Sequence, residues 1–254
     1  MLNLLKIEYE KIITYSTFWV IFGLFFFFTP LVFYGLGQIK LDSFPIDFTT
    51  IYHFPDIWNN ITYVASWFNL LIGMLLVILV CNEFSFKTFR QHVIDGQSKS
   101  DFILSKILLS SSFSFLTTFY LFLIVGFLGF VSGNDGPFLT DIKYLLIYFV
   151  QSLGYMSLGL IIAVTIRSSA LAIIIFTFSI FFESILSYFV PDAIAPFLPL
   201  EIISNLTPVP TPKGIQVPVL AEAIPLNTSL MIAVIYILAF WGISFLTLNY
   251  KDVK

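Results

Sequence analysis

The sequence predicts an all-α integral membrane protein with six membrane-spanning helices, and three observations predict it. Of 254 residues, 58% are hydrophobic and only 11% charged, with a mean hydropathy of +0.96. Soluble domains carry about 25% charged residues, and a water-soluble core cannot hide this much apolar surface. The apolar residues fall into runs long enough to cross a bilayer, at roughly 20 residues each. Lys and Arg gather in the links on one side of those runs, as they do on the cytoplasmic side of membrane proteins.

The chain opens with an amphipathic helix over Met1 to Thr14. At the helical period Leu2, Leu5, Tyr9, Ile12 and Ile13 share one arc, with Asn3, Lys6, Glu10, Lys11 and Thr14 on the other. Such a helix suits the inner membrane surface, apolar side down; a solvated lead-in is the competing reading. The first span runs from about Phe18 to Leu36, is read as retained and not cleaved, and holds Pro30, which neighbours must compensate. Gln38 to Asn60 forms an outer loop, and the second span covers about Ile61 to Cys81. The third begins at Phe102 or Ile107 and ends near Val131. A Gly/Pro/Asn/Asp turn at Ser132 to Asp141 leads to the fourth span, about Tyr144 to Ile166. Arg167, Ser168 and Ser169 alone separate it from the fifth, about Ala170 to Val190, which makes an antiparallel hairpin. Pro191 to Asn227 is the last outer segment, with eight of the twelve prolines. Ala193 to Leu206 is apolar enough for short, proline-broken helices that dip into the membrane, with a plain outer loop as the alternative. The sixth span is about Thr228 to Leu248.

Nine basic residues (Lys6, Lys11, Lys87, Arg90, Lys99, Lys106, Arg167, Lys251 and Lys254) fall on one side of these spans, and Lys40, Lys143 and Lys213 on the other. The majority side is cytoplasmic, with both termini inside. The same count places the charged stretch Asn82 to Lys106 in the cytoplasm or at its interface, and 82–101 is expected as a cytoplasmic loop.

Several chemistries are missing. No Walker A pattern occurs, and Gly96-Gln97-Ser98-Lys99-Ser100 has the wrong spacing for one. His53 and His92 belong to opposite sides of the membrane, so no shared metal or catalytic dyad is expected. The single cysteine, Cys81, excludes a disulfide framework. A net charge of -3 gives no reason to expect nucleic acid. Glu183 is the one ionisable residue placed well inside a span, where a charge costs about 2.5–3.5 kcal/mol on insertion scales. It is a candidate for a substrate pathway, unless it reaches water past Pro191, two turns away.

Glu83, then Lys87-Thr88-Phe89-Arg90, Asp95-Gly96-Gln97-Ser98-Lys99, Phe102 and Ser105-Lys106, resembles the loop between the second and third spans of ATP-binding-cassette type-2 permeases. Lys87 stands where that family often has Gly, and Lys99 where it often has Arg. The layout of amphipathic start, six spans and large outer segment before the last extends the resemblance over the whole chain, although about 25 residues carry the motif.

The resemblance implies a transmembrane subunit of a bacterial inner-membrane transporter, an exporter, that pairs with itself or a sister permease and docks two separate ATPase subunits. ATP would bind and be hydrolysed on those partners, so no cofactor and no enzymatic centre is expected on this chain. The 82–101 stretch would then hold the coupling helix. Docking is expected at Glu83, Phe84, Phe86, Lys87, Thr88, Phe89, Arg90 and His92, with the phenylalanines as anchors and Lys87, Arg90 and His92 facing a polar rim. Burial of the phenylalanines in the membrane interface is the simpler alternative. Glu83 is placed to pair with Lys106 or with the amphipathic start. Two other classes compete: an ion-coupled carrier, which needs ion-coordinating groups near the midplane, and a non-transporting membrane assembly subunit.

Overall fold

The structure, a computed structural model, describes residues 2–38, 51–96, 98–131, 136–210 and 224–250. Among these residues the chain is helical, without strands. In order come α1 (Leu2–Ile13), α2 (Ser16–Gly37), α3 (Ile57–Ser66), α4 (Asn69–Ser85), α5 (Thr88–Ile94), α6 (Lys99–Val131), α7 (Lys143–Ile166), α8 (Ser169–Leu186), α9 (Pro199–Ser204) and α10 (Leu226–Tyr250). A 3-10 turn, Ala195–Phe197, precedes α9. Helices α2, α6, α7, α8 and α10 are long and apolar enough to cross a membrane, and α3 with α4, bent by 44° at their break, makes a sixth if the pair is counted as one span. The chain is a helical, multi-pass membrane protein.

Helix α7 is the centre of the bundle. In its apolar stretch 67% of residues are buried, against 11% in α8 and 17% in α10, whose outer faces are left for lipid. An aromatic seam joins α2 to α6, with the Phe22 and Phe113 rings 5.2 Å apart and those of Phe26 and Tyr120 4.2 Å apart. Pro30 has no N–H to give the Phe26 carbonyl. The Tyr120 hydroxyl donates to that carbonyl instead, so a neighbouring span supplies the compensation that a mid-span proline requires.

Three expectations need correction. The second span is not continuous: at its break the Trp67 N–H bonds Val64 O and the Phe68 N–H bonds Ala65 O. These three-residue bonds tighten the turn, and Ser66 Oγ donates back to Tyr63 O, a combination that bends a helix axis. The fifth span stops at Leu186, short of Val190. Its last turns hold Ser184 and Ser187, whose hydroxyls bond local carbonyls, and Pro191 disfavours helical backbone at Val190. The stretch 82–101 is not one loop: Asn82 to Ser85 complete α4, and α6 already starts at Lys99. Ser98 caps α6, since its Oγ accepts from the Asp101 N–H at 3.1 Å and donates to Asp101 Oδ2 at 2.6 Å, a reciprocal cap that fixes where the helix begins.

The proline-rich segment before α10 does form short helices. Leu200, Ile202 and Ile203 of α9 are buried; residues 211–223 lie outside the described residues, as do 39–50 and 132–135.

Candidate functional site

The bundle end where α4 hands over to α6 carries a buried ion cluster. Lys106, one and a half turns into the bundle from Asp101, is fully buried, although a place among the charged links predicts a wetted side chain. Its Nζ donates to Glu8 Oε2 of α1 at 2.6 Å and to Glu83 Oε1 at the end of α4. Lys11 completes the group, with Nζ 3.6 Å from Glu8 Oε1 and 3.5 Å from Glu83 Oε1. Two carboxylates and two ammoniums leave the cluster neutral, which is the condition for keeping charges out of water. Ser105 Oγ adds a bond to Glu8 Oε1 at 3.1 Å. Lys11 Nζ lies 3.1 Å from His92 Nε2 of α5, and because an ammonium only donates, that ring nitrogen accepts.

Burial alone would raise the Glu8 carboxyl. The ammoniums of Lys106 and Lys11, with the bonds from Lys106 and Ser105, outweigh it and hold the group below its ordinary value. Glu8 belongs to the ionised form of this cluster.

Beside the ions sits an aromatic group. The Phe89 ring of α5 packs 4.7 Å from Phe102 of α6 and 5.2 Å from Phe84 of α4. Arg167, in the turn between α7 and α8, lies over the Phe84 ring at 4.9 Å. A polar chain closes the arrangement: Asn82 Nδ2 donates to Tyr15 OH at 2.6 Å, and Ser169 Oγ donates to Asn82 Oδ1 at 3.1 Å. Helices α1, α4, α5, α6 and α8 thus meet at one end through side chains, and α5 is fixed to α1, α4 and α6 rather than hung as a loop.

The expected docking residues separate into two sets. Phe86, Lys87, Thr88 and Arg90 are exposed. Glu83 and Phe89 are buried, Phe84 and His92 half-buried, because the ion pairs and the aromatic packing draw them inward. Glu83 and Phe89 face inward and hold α5 in place. Glu83, placed by the sequence to pair with Lys106 or with the amphipathic start, pairs with both, through Lys106 and Lys11. Thr88 Oγ1 donates to the Glu83 carbonyl at 3.1 Å, stitching the start of α5 to the end of α4. Between them Lys87 takes a left-handed backbone, φ 59°, the region that glycine enters without steric cost.

Sequence reasoning missed Glu8. At the helical period it falls beside Leu5 and Ile12, and an acidic residue next to the apolar arc of a short amphipathic helix was the available signal. Glu183, the candidate pathway residue, is tied to the backbone: its Oε1 accepts from the N–H of Leu200 at 2.5 Å and of Glu201 at 2.8 Å. It joins α8 to the start of α9 at the end of the bundle opposite the ion cluster. His53 is exposed, and among the described residues no three His, Cys, Asp or Glu side chains group as metal ligands.

No curated protein matches this chain. A family model does, over residues 41–254: the chain belongs to the family described as protein of unknown function (DUF2705).

Proposed function

We propose that this chain is the permease subunit of an ATP-binding-cassette exporter in a bacterial inner membrane, with both termini cytoplasmic, working as a homodimer or with a sister permease and driven by separate ATPase subunits. The observation that carries the reading is α5. It is a short helix between two spans, clamped from behind by the Glu83–Lys106–Glu8 ion pairs and the Phe84–Phe89–Phe102 cluster, while Phe86, Lys87, Arg90, Gln91 and Ile94 stay exposed in front. A helix rigidly tied to two spans carries a push from outside into the bundle, whereas a floppy link would absorb it. Phe86, 73% exposed, and Ile94, 68% exposed, are apolar anchors flanked by cations, which fits a groove with an acidic rim on the partner. The left-handed backbone at Lys87 supports the reading too, since glycine is the residue that the resemblance leads one to expect there.

The test is co-purification in mild detergent from the native membrane. The chain is expected to bring down a nucleotide-hydrolysing subunit and to show no ATPase activity without it. The double variant Phe86→Ser/Arg90→Glu is expected to lose the partner while keeping its thermal stability. Absence of any nucleotide-hydrolysing companion, or a cysteine at Gln91 that reacts only from the outer side, overturns the proposal.

A further inference from the structure

The bundle end remote from the ion cluster is closed by the 195–207 segment. Polar side chains of three different helices reach for its backbone. Glu183 Oε1 of α8 accepts from the N–H groups of Leu200 and Glu201. Gln151 Nε2 of α7 donates to Ser204 O at 2.9 Å, and its Oε1 accepts from Thr207 Oγ1 at 3.3 Å. Tyr236 OH of α10 donates to Phe197 O at 2.6 Å. Of the three tying side chains only Glu183 is a carboxyl, and one of its oxygens accepts both bonds.

What lies beneath is also unusual for a packed interface. On the central helix α7 the segment covers Gln151, 1% exposed, and Gly154, where a Cβ would meet Ile203 side-chain atoms at 3.1 Å. Ser152 and Tyr155 share that part of α7 and are likewise buried, at 1% and 8%, and Ser114 of α6 donates to Ser152 Oγ at 3.4 Å. A polar strip on the most buried span is capped by two helical pieces of three and six residues. Pieces this short are not stable alone. Prolines stand at 191, 196, 199, 208 and 210, so the segment is jointed at both ends and within.

We propose that residues 195–207 form a movable cover over the polar strip of α7, and that Glu183 is the latch that keeps it shut. Release of the carboxylate frees two backbone N–H groups and leaves the cover on apolar contacts and neutral hydrogen bonds alone. This is independent of any ATPase partner and needs none for its test.

The reporter is a cysteine at Ile203, which is fully buried under the closed cover. The native Cys81 is fully buried as well and serves as the internal control. Labelling by a soluble maleimide is followed in proteoliposomes for Ile203→Cys alone and combined with Glu183→Gln or Glu183→Ala. Two hydrogen bonds of this kind hold an opening equilibrium by about tenfold or more. The alanine variant is expected to label at least about tenfold faster than Ile203→Cys alone, and the glutamine variant, which keeps an acceptor oxygen, to stay closer to the parent. Cys81 is expected to remain unlabelled throughout. Equal labelling of the parent and alanine variants overturns the latch, as does equal acceleration by alanine and glutamine. Acceleration accompanied by labelling of Cys81 also overturns it, because the bundle and not the cover would then be opening.

Discussion

Lys106 and Glu8, 98 positions apart in the chain, meet through a 2.6 Å bond between Nζ and Oε2 in a site closed to water. That contact fastens the first helix to the third span, and Glu83 shares the same ammonium. Removing that cation leaves two carboxylates sharing Lys11 alone, one negative charge in excess. Breaking a buried pair by deleting one partner costs about 3–5 kcal/mol, so Lys106→Met is expected to lower the melting temperature in detergent strongly. Glu8→Gln in the Lys106→Met background removes the excess charge and is expected to recover part of the loss. A thermal melt of the two singles and the double checks this, and strict additivity would show that the two residues do not act as a pair.

The same cluster gives α1 a pH dependence of known sign. Lys106 and Lys11 hold the Glu8 carboxyl below its ordinary 4.5. A depressed carboxylate contributes stability that is fully present above the unfolded value and is lost as pH falls through the folded one. The melting temperature is therefore expected to change little with pH near neutrality and to fall below about pH 4.5. Melts of the parent and Glu8→Gln between pH 7 and pH 3 check it: the variant should start lower and show the shallower acid slope. A steeper slope in the variant would contradict the assignment.

Much of the fold was legible because a membrane span announces itself by length and composition. The bounds of α2, α7 and α10 lie close to those read from Phe18, Tyr144 and Thr228, since uncharged runs of that length have no other stable state. The bend between α3 and α4 was not legible, because it depends on a tight turn at Trp67 and Phe68 inside an uncharged run with no Gly or Pro at the turn to mark it. The site was half legible. Glu83 and Lys106 drew attention as charges near span ends, but charge alone does not say whether a side chain faces water or a partner. Phe89 and Phe86 look alike in sequence, and the turn at Lys87 sends one inward and the other out.

Lys87 itself is expected to be a site of stored strain. Its φ of 59° costs an L-residue with a Cβ about 1 kcal/mol relative to glycine, and its exposed side chain offsets little of that. Lys87→Gly should raise the melting temperature by a few degrees, while Lys87→Val, branched at Cβ, should lower it. If both substitutions shift stability the same way, the left-handed turn is not what sets the path of the chain between α4 and α5.

Pro30 and Tyr120 make the last case, in which one residue's defect is another's purpose. Inside α2 the proline removes the N–H that would have bonded the Phe26 carbonyl, and in hydrocarbon an unpaired carbonyl has no water to turn to. The Tyr120 hydroxyl from α6 donates there while its ring packs edge-on against Phe26. Tyr120→Phe keeps the ring and deletes only the donor, so the loss is that of one orphaned buried acceptor, about 1–3 kcal/mol. Pro30→Ala restores the intrahelical N–H, which then competes for the same oxygen and makes the hydroxyl redundant. Tyr120→Phe is accordingly expected to be clearly destabilising in the native background and close to neutral beside Pro30→Ala, a coupling that a four-way thermal comparison reads directly. Should Tyr120→Phe cost the same with or without the proline, the hydroxyl serves some other partner and the account of why this span tolerates Pro30 fails.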